Sequence, residues 1–92
     1  MKITINGTEK EVELKQIYTR EVDRNYNNAL MEWVKANPNN PNEIDIPLNN
    51  IQKANDILVE SMTNLTTEEI NMMTWKDFNK VLWEIIRIKN GS

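Results

Sequence analysis

Residues 2–14 read KITINGTEKEVEL, and the periodicity of that stretch decides the fold class. Ile3 and Ile5 alternate with Lys2 and Thr4; Val12 and Leu14 alternate with Glu11 and Glu13. Apolar residues at every second position mark a strand with one buried face. Between the two runs lies Asn6-Gly7, a dipeptide that tolerates the positive φ angles of a tight turn. The stretch predicts a β-hairpin over residues 2–14, with Thr8-Glu9-Lys10 lengthening its loop. Glu9, Glu11 and Glu13 mark the solvent face. Two strands alone are marginal in water, so the hairpin must lean on helices or on another chain.

Near Tyr18 the apolar period changes from that of a strand to that of a helix. Thr19 is a cap for a first helix to about Ala36, with Glu21 and Asp23 at its positive end. Val22, Tyr26, Ala29, Leu30 and Trp33 form its buried stripe, which makes Trp33 a core residue, and Met31 falls on the polar face. Residues 37–47 read NPNNPNEIDIP; three prolines exclude a regular helix there. Ile44 and Ile46 alternate around Asp45, as in an extended segment pinned to the body. A second helix begins near Pro47 or Leu48, with Leu48, Ile51, Asn55, Leu58, Met62 and Leu65 along one side. Val59 widens that stripe and Ile57 stands apart from it.

Thr66 followed by Glu69 is a capping-box pattern, and it opens a short helical turn through Ile70 to Met73. Thr74 with Asp77 caps a last helix to about Lys89, and Asn90-Gly91 stops it. The expected architecture is α+β: one domain over residues 1–92, with a hairpin at 2–14 and a helical body at 19–89. That body has three main helices and the short turn.

The last helix carries Trp75, Phe78, Val81, Leu82, Trp83, Ile85, Ile86 and Ile88. At about 100° per residue these sweep about 220° of its surface. Two readings stand. Either the helix is central, sandwiched between hairpin and other helices, or part of the arc faces a partner. The candidate contacts under the second reading are Trp83, Ile86 and Leu82, with Met72 and Met73 as lesser ones. Trp83 borders Lys80 and Arg87 on the polar side, a common place for an aromatic anchor. Paired methionines beside Trp75 suit an adaptable surface, although methionine more often fills cores.

Composition limits the chemistry. The 92 residues contain no cysteine and no histidine. Thiolate nucleophiles, imidazole bases, disulfides and the usual structural zinc sites are thereby excluded. Glycine occurs only at positions 7 and 91, so there is no glycine-rich phosphate loop. The adjacent Glu68 and Glu69 are explained by capping and the helix dipole, and residues 37–47 lack the EF-hand spacing. No catalytic residue, metal ligand or cofactor is therefore expected. Net charge is −3 and the basic residues are dispersed, which argues against a nucleic-acid partner. No segment has the length or apolarity of a signal peptide or membrane span. Abundant asparagine and isoleucine reflect an AT-rich coding sequence.

The order of these elements resembles a known family: the small tail assembly chaperones of bacteriophages with long, non-contractile tails, found in phages and prophages of low-GC Gram-positive bacteria. The opening MKITINGTEKEVEL, the following YTREVDRNY, the middle segment LNNIQKANDILVESMTNLTTEEINMMTWKDFNKVL and the closing KDFNKVLWEIIRI carry the resemblance. It implies a non-enzymatic protein in the cytoplasm of the bacterial host. Such a protein binds the tape-measure protein, a long helical chain with exposed apolar surface, helps deliver tail-tube subunits, and then leaves. Many such families also make a longer form by ribosomal frameshift. Self-association is compatible with the same apolar surface. Two other classes stay open: a small phage or plasmid regulator of the inhibitor or antitoxin type that binds a host protein, and a cryptic nucleic-acid binder.

Overall fold

The computed structural model describes residues 1–36 and 47–91, with backbone alone at 33–36. The expected core position of Trp33 and the pinned segment containing Ile44 and Ile46 lie outside what is described. Within it, an N-terminal antiparallel hairpin precedes four helices, an α+β layout. Strand β1 is Lys2–Ile5 and β2 is Thr8–Glu11. Helices α1, α2, α3 and α4 are Arg20–Ala36, Leu48–Met62, Thr67–Met72 and Trp75–Asn90.

The hairpin turn is tighter than the expected one. Asn6 has φ 51° and Gly7 has φ 81°, so both central residues of a two-residue turn are left-handed. That geometry matches the twist of the flanking strands and directly pairs Ile5 with Thr8. Thr8-Glu9-Lys10 is therefore strand rather than loop, with Ile3 opposite Lys10 and Thr4 opposite Glu9. Ile3 and Ile5 are buried, and on β2 the same face carries Thr8 and Lys10 before Val12 resumes the apolar pattern. Lys10 ends in an ion pair with Glu69 of α3 at 2.9 Å.

Helices and loops hold both edges of the hairpin. On the β1 side, the Thr4 amide donates to Asp77 Oδ2 in the first turn of α4 at 3.3 Å. Beyond β2, Leu14 bridges Thr63, and the Lys15 amide donates to the Met62 carbonyl at 2.9 Å. These contacts meet the demand that two strands lean on something else.

The α1 boundary follows its cap: Thr19 Oγ1 accepts the Val22 amide at 3.2 Å. Helix α2 has no side-chain cap and starts behind Pro47. Its buried face is Ala54, Leu58, Val59 and Met62. Val59 is thus fully inside rather than at the edge of the stripe, whereas Leu48, expected within it, is 66% exposed. Leu48 is the first residue of the helix. Ile51 and Asn55 are half-buried, and so is Met31 on α1, which the spacing had put on the polar face. The Thr66–Glu69 capping box is complete, each residue bonding the other's backbone. Thr74 Oγ1 accepts the Asp77 amide and starts α4.

One core joins all these elements. Ile3, Ile5 and Val12 from the hairpin region meet Val22, Leu58, Val59, Met62, Leu65, Ile70, Phe78, Val81 and Ile85. Met62, Val59, Val81 and Ile85 are fully enclosed.

Candidate protein-binding surface

Helix α4 is buried along one side only. Phe78, Val81 and Ile85 point into the core. At about 100° per residue, Trp75, Leu82 and Ile86 fall within about 20° of a neighbouring line. Trp83 lies farther round, in the line of Lys76, Lys80 and Arg87. Burial follows these angles except at Trp75, the first residue of the helix, which is more open than the rest of its line. Leu82 and Ile86 are half-buried, Trp75 is 64% exposed and Trp83 is 66% exposed. The helix is therefore not enclosed among the described residues: its arc runs from core to solvent, with a tryptophan near each end of the exposed portion.

The two tryptophans are held differently. Trp75 is the first residue of α4 and sits edge-on to Phe78, with ring centroids 5.8 Å apart and planes at 89°. This T-shaped contact anchors one edge of an otherwise open indole to the core. Trp83 has no such ring contact among the described residues. Beside it, Arg87 forms an ion pair with Glu84 one turn back at 3.0 Å.

The methionine pair divides. Met72, the last residue of α3, is 57% exposed. Met73 caps α3 and packs on the core. Leu82 also touches that core, so it joins the buried layer to the exposed one. Between α2, α3 and α4 lies an open cavity of about 230 Å³, lined by residues that include Gln52, Asp56, Met73, Trp75 and Phe78. Burial, and then the neighbouring Glu60 charge, raises the Asp56 carboxyl above the usual aspartate range.

The sequence candidates thus fall into two sets. Trp83 and Met72 are open to solvent, Ile86 is partly so, and Leu82 and Met73 form the floor. Trp75, which the sequence places in the apolar arc beside the methionine pair, is as open as Trp83. Its position was the available signal: the residue directly after a cap sits at the rim of its helix. Ile17, exposed between hairpin and α1, had no such signal.

Comparison with protein-family models, with curated proteins and with solved structures gives no match. The described residues contain no cluster of three or more His, Cys, Asp or Glu side chains that could hold a metal ion. No described helix is long and apolar enough to cross a membrane. The α4 surface offers large apolar groups beside cations, an arrangement suited to holding another surface.

Proposed function

We propose that this chain is a non-catalytic assembly chaperone of the phage-tail kind, acting in the cytoplasm of a bacterial host. It holds the tape-measure protein before the tail tube encloses it and helps deliver tail-tube subunits. The observation that supports this reading is the exposure of Trp83 on α4 beside the half-buried Leu82 and Ile86, with a second open indole, Trp75, about two turns back. Exposed apolar groups that lie together mark interaction sites far more often than single ones do.

The magnitudes suit transient binding. Each indole is about two-thirds exposed, so burying the exposed part removes roughly 100–165 Å² from water, a gross gain of about 2.5–4 kcal/mol. Association itself costs about 4–15 kcal/mol before any surplus appears. Two indoles and a few aliphatic neighbours therefore give a weak, reversible grip, as a chaperone that must leave requires. An apolar stripe on a long helical client supplies the complementary surface, because side chains three and four apart line one face.

The experiment is co-expression of the chain with long helical fragments of a tape-measure protein, scored by the soluble fraction of the fragment. The wild-type chain is expected to raise that fraction and a Trp83→Ser variant with an unchanged melting temperature to lose the effect. No gain with the wild-type chain would overturn the proposal.

A further inference from the structure

The chain carries net negative charge, but α4 has four cations, Lys76, Lys80, Arg87 and Lys89, against the two carboxylates Asp77 and Glu84. Both carboxylates are engaged within the fold. Asp77 Oδ2 accepts the Thr4 amide at 3.3 Å, and Glu84 pairs with Arg87 at 3.0 Å. Lys89 turns to the other side, where its ammonium lies over the rings of Tyr18 and Tyr26 and 3.9 Å from Asp23. Lys76 and Lys80 are exposed and have no ion-pair partner among the described residues. With Trp83 and Arg87 they follow the i, i+4, i+7, i+11 spacing of one helix line. Elsewhere Lys10 and Lys53 are matched to Glu69 and Glu32, while Lys2, Lys15, Arg20 and Arg24 also have no ion-pair partner among the described residues but stand beside no exposed tryptophan in sequence. Two unpaired lysines and the exposed Arg87–Glu84 pair are thus aligned with Trp83, beside the Trp75–Leu82–Ile86 line.

We propose that this face selects an amphipathic helix whose apolar stripe is bordered by acidic side chains. The inference rests on the protein-binding role of α4 set out above and names the chemistry of the partner. The tryptophans and Ile86 take the apolar stripe; Lys76, Lys80 and Arg87 face the carboxylates along its edge. Arg87 is available because its pair with Glu84 is solvent-exposed, and such pairs are weak. The cations fix orientation and reject basic competitors more than they add affinity.

Two synthetic helical peptides test this. Both carry the same leucine stripe, one flanked by glutamate and the other by lysine, and each is labelled and titrated with the full chain by fluorescence anisotropy. At about 0.05 M salt the glutamate-flanked peptide is expected to bind roughly tenfold tighter, from a few exposed ion pairs. At about 1 M salt the screening length falls to roughly 3 Å and the preference should shrink towards one. In a Lys76→Glu/Lys80→Glu variant the preference is expected to reverse. Equal binding of the two peptides, abolished by Trp83→Ser, would overturn the acidic selection and leave the binding role of α4 standing. Binding of neither would overturn both. Attachment to anionic vesicles in preference to either peptide, or a self-association that excludes the peptides, would put a membrane or a second copy on this face and overturn the inference.

Discussion

Asn64 holds Glu13 as a neighbouring strand would. Its side-chain oxygen accepts the Glu13 amide at 3.0 Å, while its side-chain nitrogen donates to the Glu11 carbonyl at 3.2 Å. The carboxamide mimics a peptide group and extends the pairing beyond the end of β2. Together with the Leu14–Thr63 bridge, it fastens the hairpin to the end of α2.

Replacing Asn64 with Ala removes both bonds and leaves two backbone groups to water. Each intramolecular hydrogen bond is worth about 1 kcal/mol net, so Asn64→Ala is expected to cost about 1–2 kcal/mol in chemical denaturation. Amide exchange at Glu13 should also quicken. An unchanged exchange rate at Glu13 would mean that the carboxamide does not hold the strand.

Tyr18 ties α1 to the hairpin link and, through Lys89, to the end of α4. Its hydroxyl donates to Asp23 Oδ1 at 2.9 Å, and the Lys89 ammonium lies 5.5 Å from the centre of its ring. Burial, and then the hydrogen bond to Asp23, pushes the phenol above the ordinary tyrosine range. The stabilisation linked to a raised folded-state value is complete below the unfolded value, about pH 10, and is lost as pH rises through the folded one. Stability is therefore expected to start falling above about pH 10. Tyr18→Phe should cost about 1 kcal/mol at neutral pH and flatten that alkaline limb. Stability curves of both proteins against pH provide the check.

Asp56 behaves in the same direction with the opposite consequence at neutral pH. Its carboxyl is raised chiefly by burial and then by Glu60, so the charged form is disfavoured in the folded protein. Stability linked to this group is present below the unfolded value, about 3.9, and is lost as pH rises through the higher folded value. At pH 7 the charged Asp56 therefore weakens the fold. Asp56→Asn should melt higher than the wild-type chain near neutrality, and the two should converge below about pH 3. A variant that melts lower at neutral pH would show that the carboxylate has a stabilising partner.

The elements were legible where short-range chemistry decides them. Thr19, Thr66 and Thr74 start helices because each can accept an amide three residues on, and that can be read locally. Asn6-Gly7 gave the turn, but not its tightness. Whether Thr8 pairs with Ile5 depends on both residues adopting positive φ, and the two apolar runs pulled the expected strand toward Val12 and Leu14. Stripe edges were less legible. Leu48 and Trp75 are each the first residue of a helix, where apolar periodicity continues although both side chains are exposed. Val59 lies at a stripe edge by spacing and is fully buried in the core that α2 shares with its neighbours. The division of α4 into buried, half-buried and open lines needed its neighbours in place, since spacing alone gives angles without saying which are covered.

Trp83 separates a surface role from a core role. Two-thirds of it faces solvent, so Trp83→Ser removes little packing and should change stability by only about 0.5 kcal/mol. Ile85, two positions on and fully buried, is the internal reference. Ile85→Ala should cost about 2–5 kcal/mol by opening a cavity. Helical residues two apart lie about 200° round the axis, so the contrast tests which side of α4 faces the core. If the proposed function is right, the two variants also part in co-expression at a temperature where both stay folded. Trp83→Ser should keep its melting temperature and lose the ability to hold a helical apolar fragment in solution. Ile85→Ala should melt earlier yet retain that ability. Unfolding of Trp83→Ser would instead assign the indole to the structure of α4 and move the binding surface elsewhere.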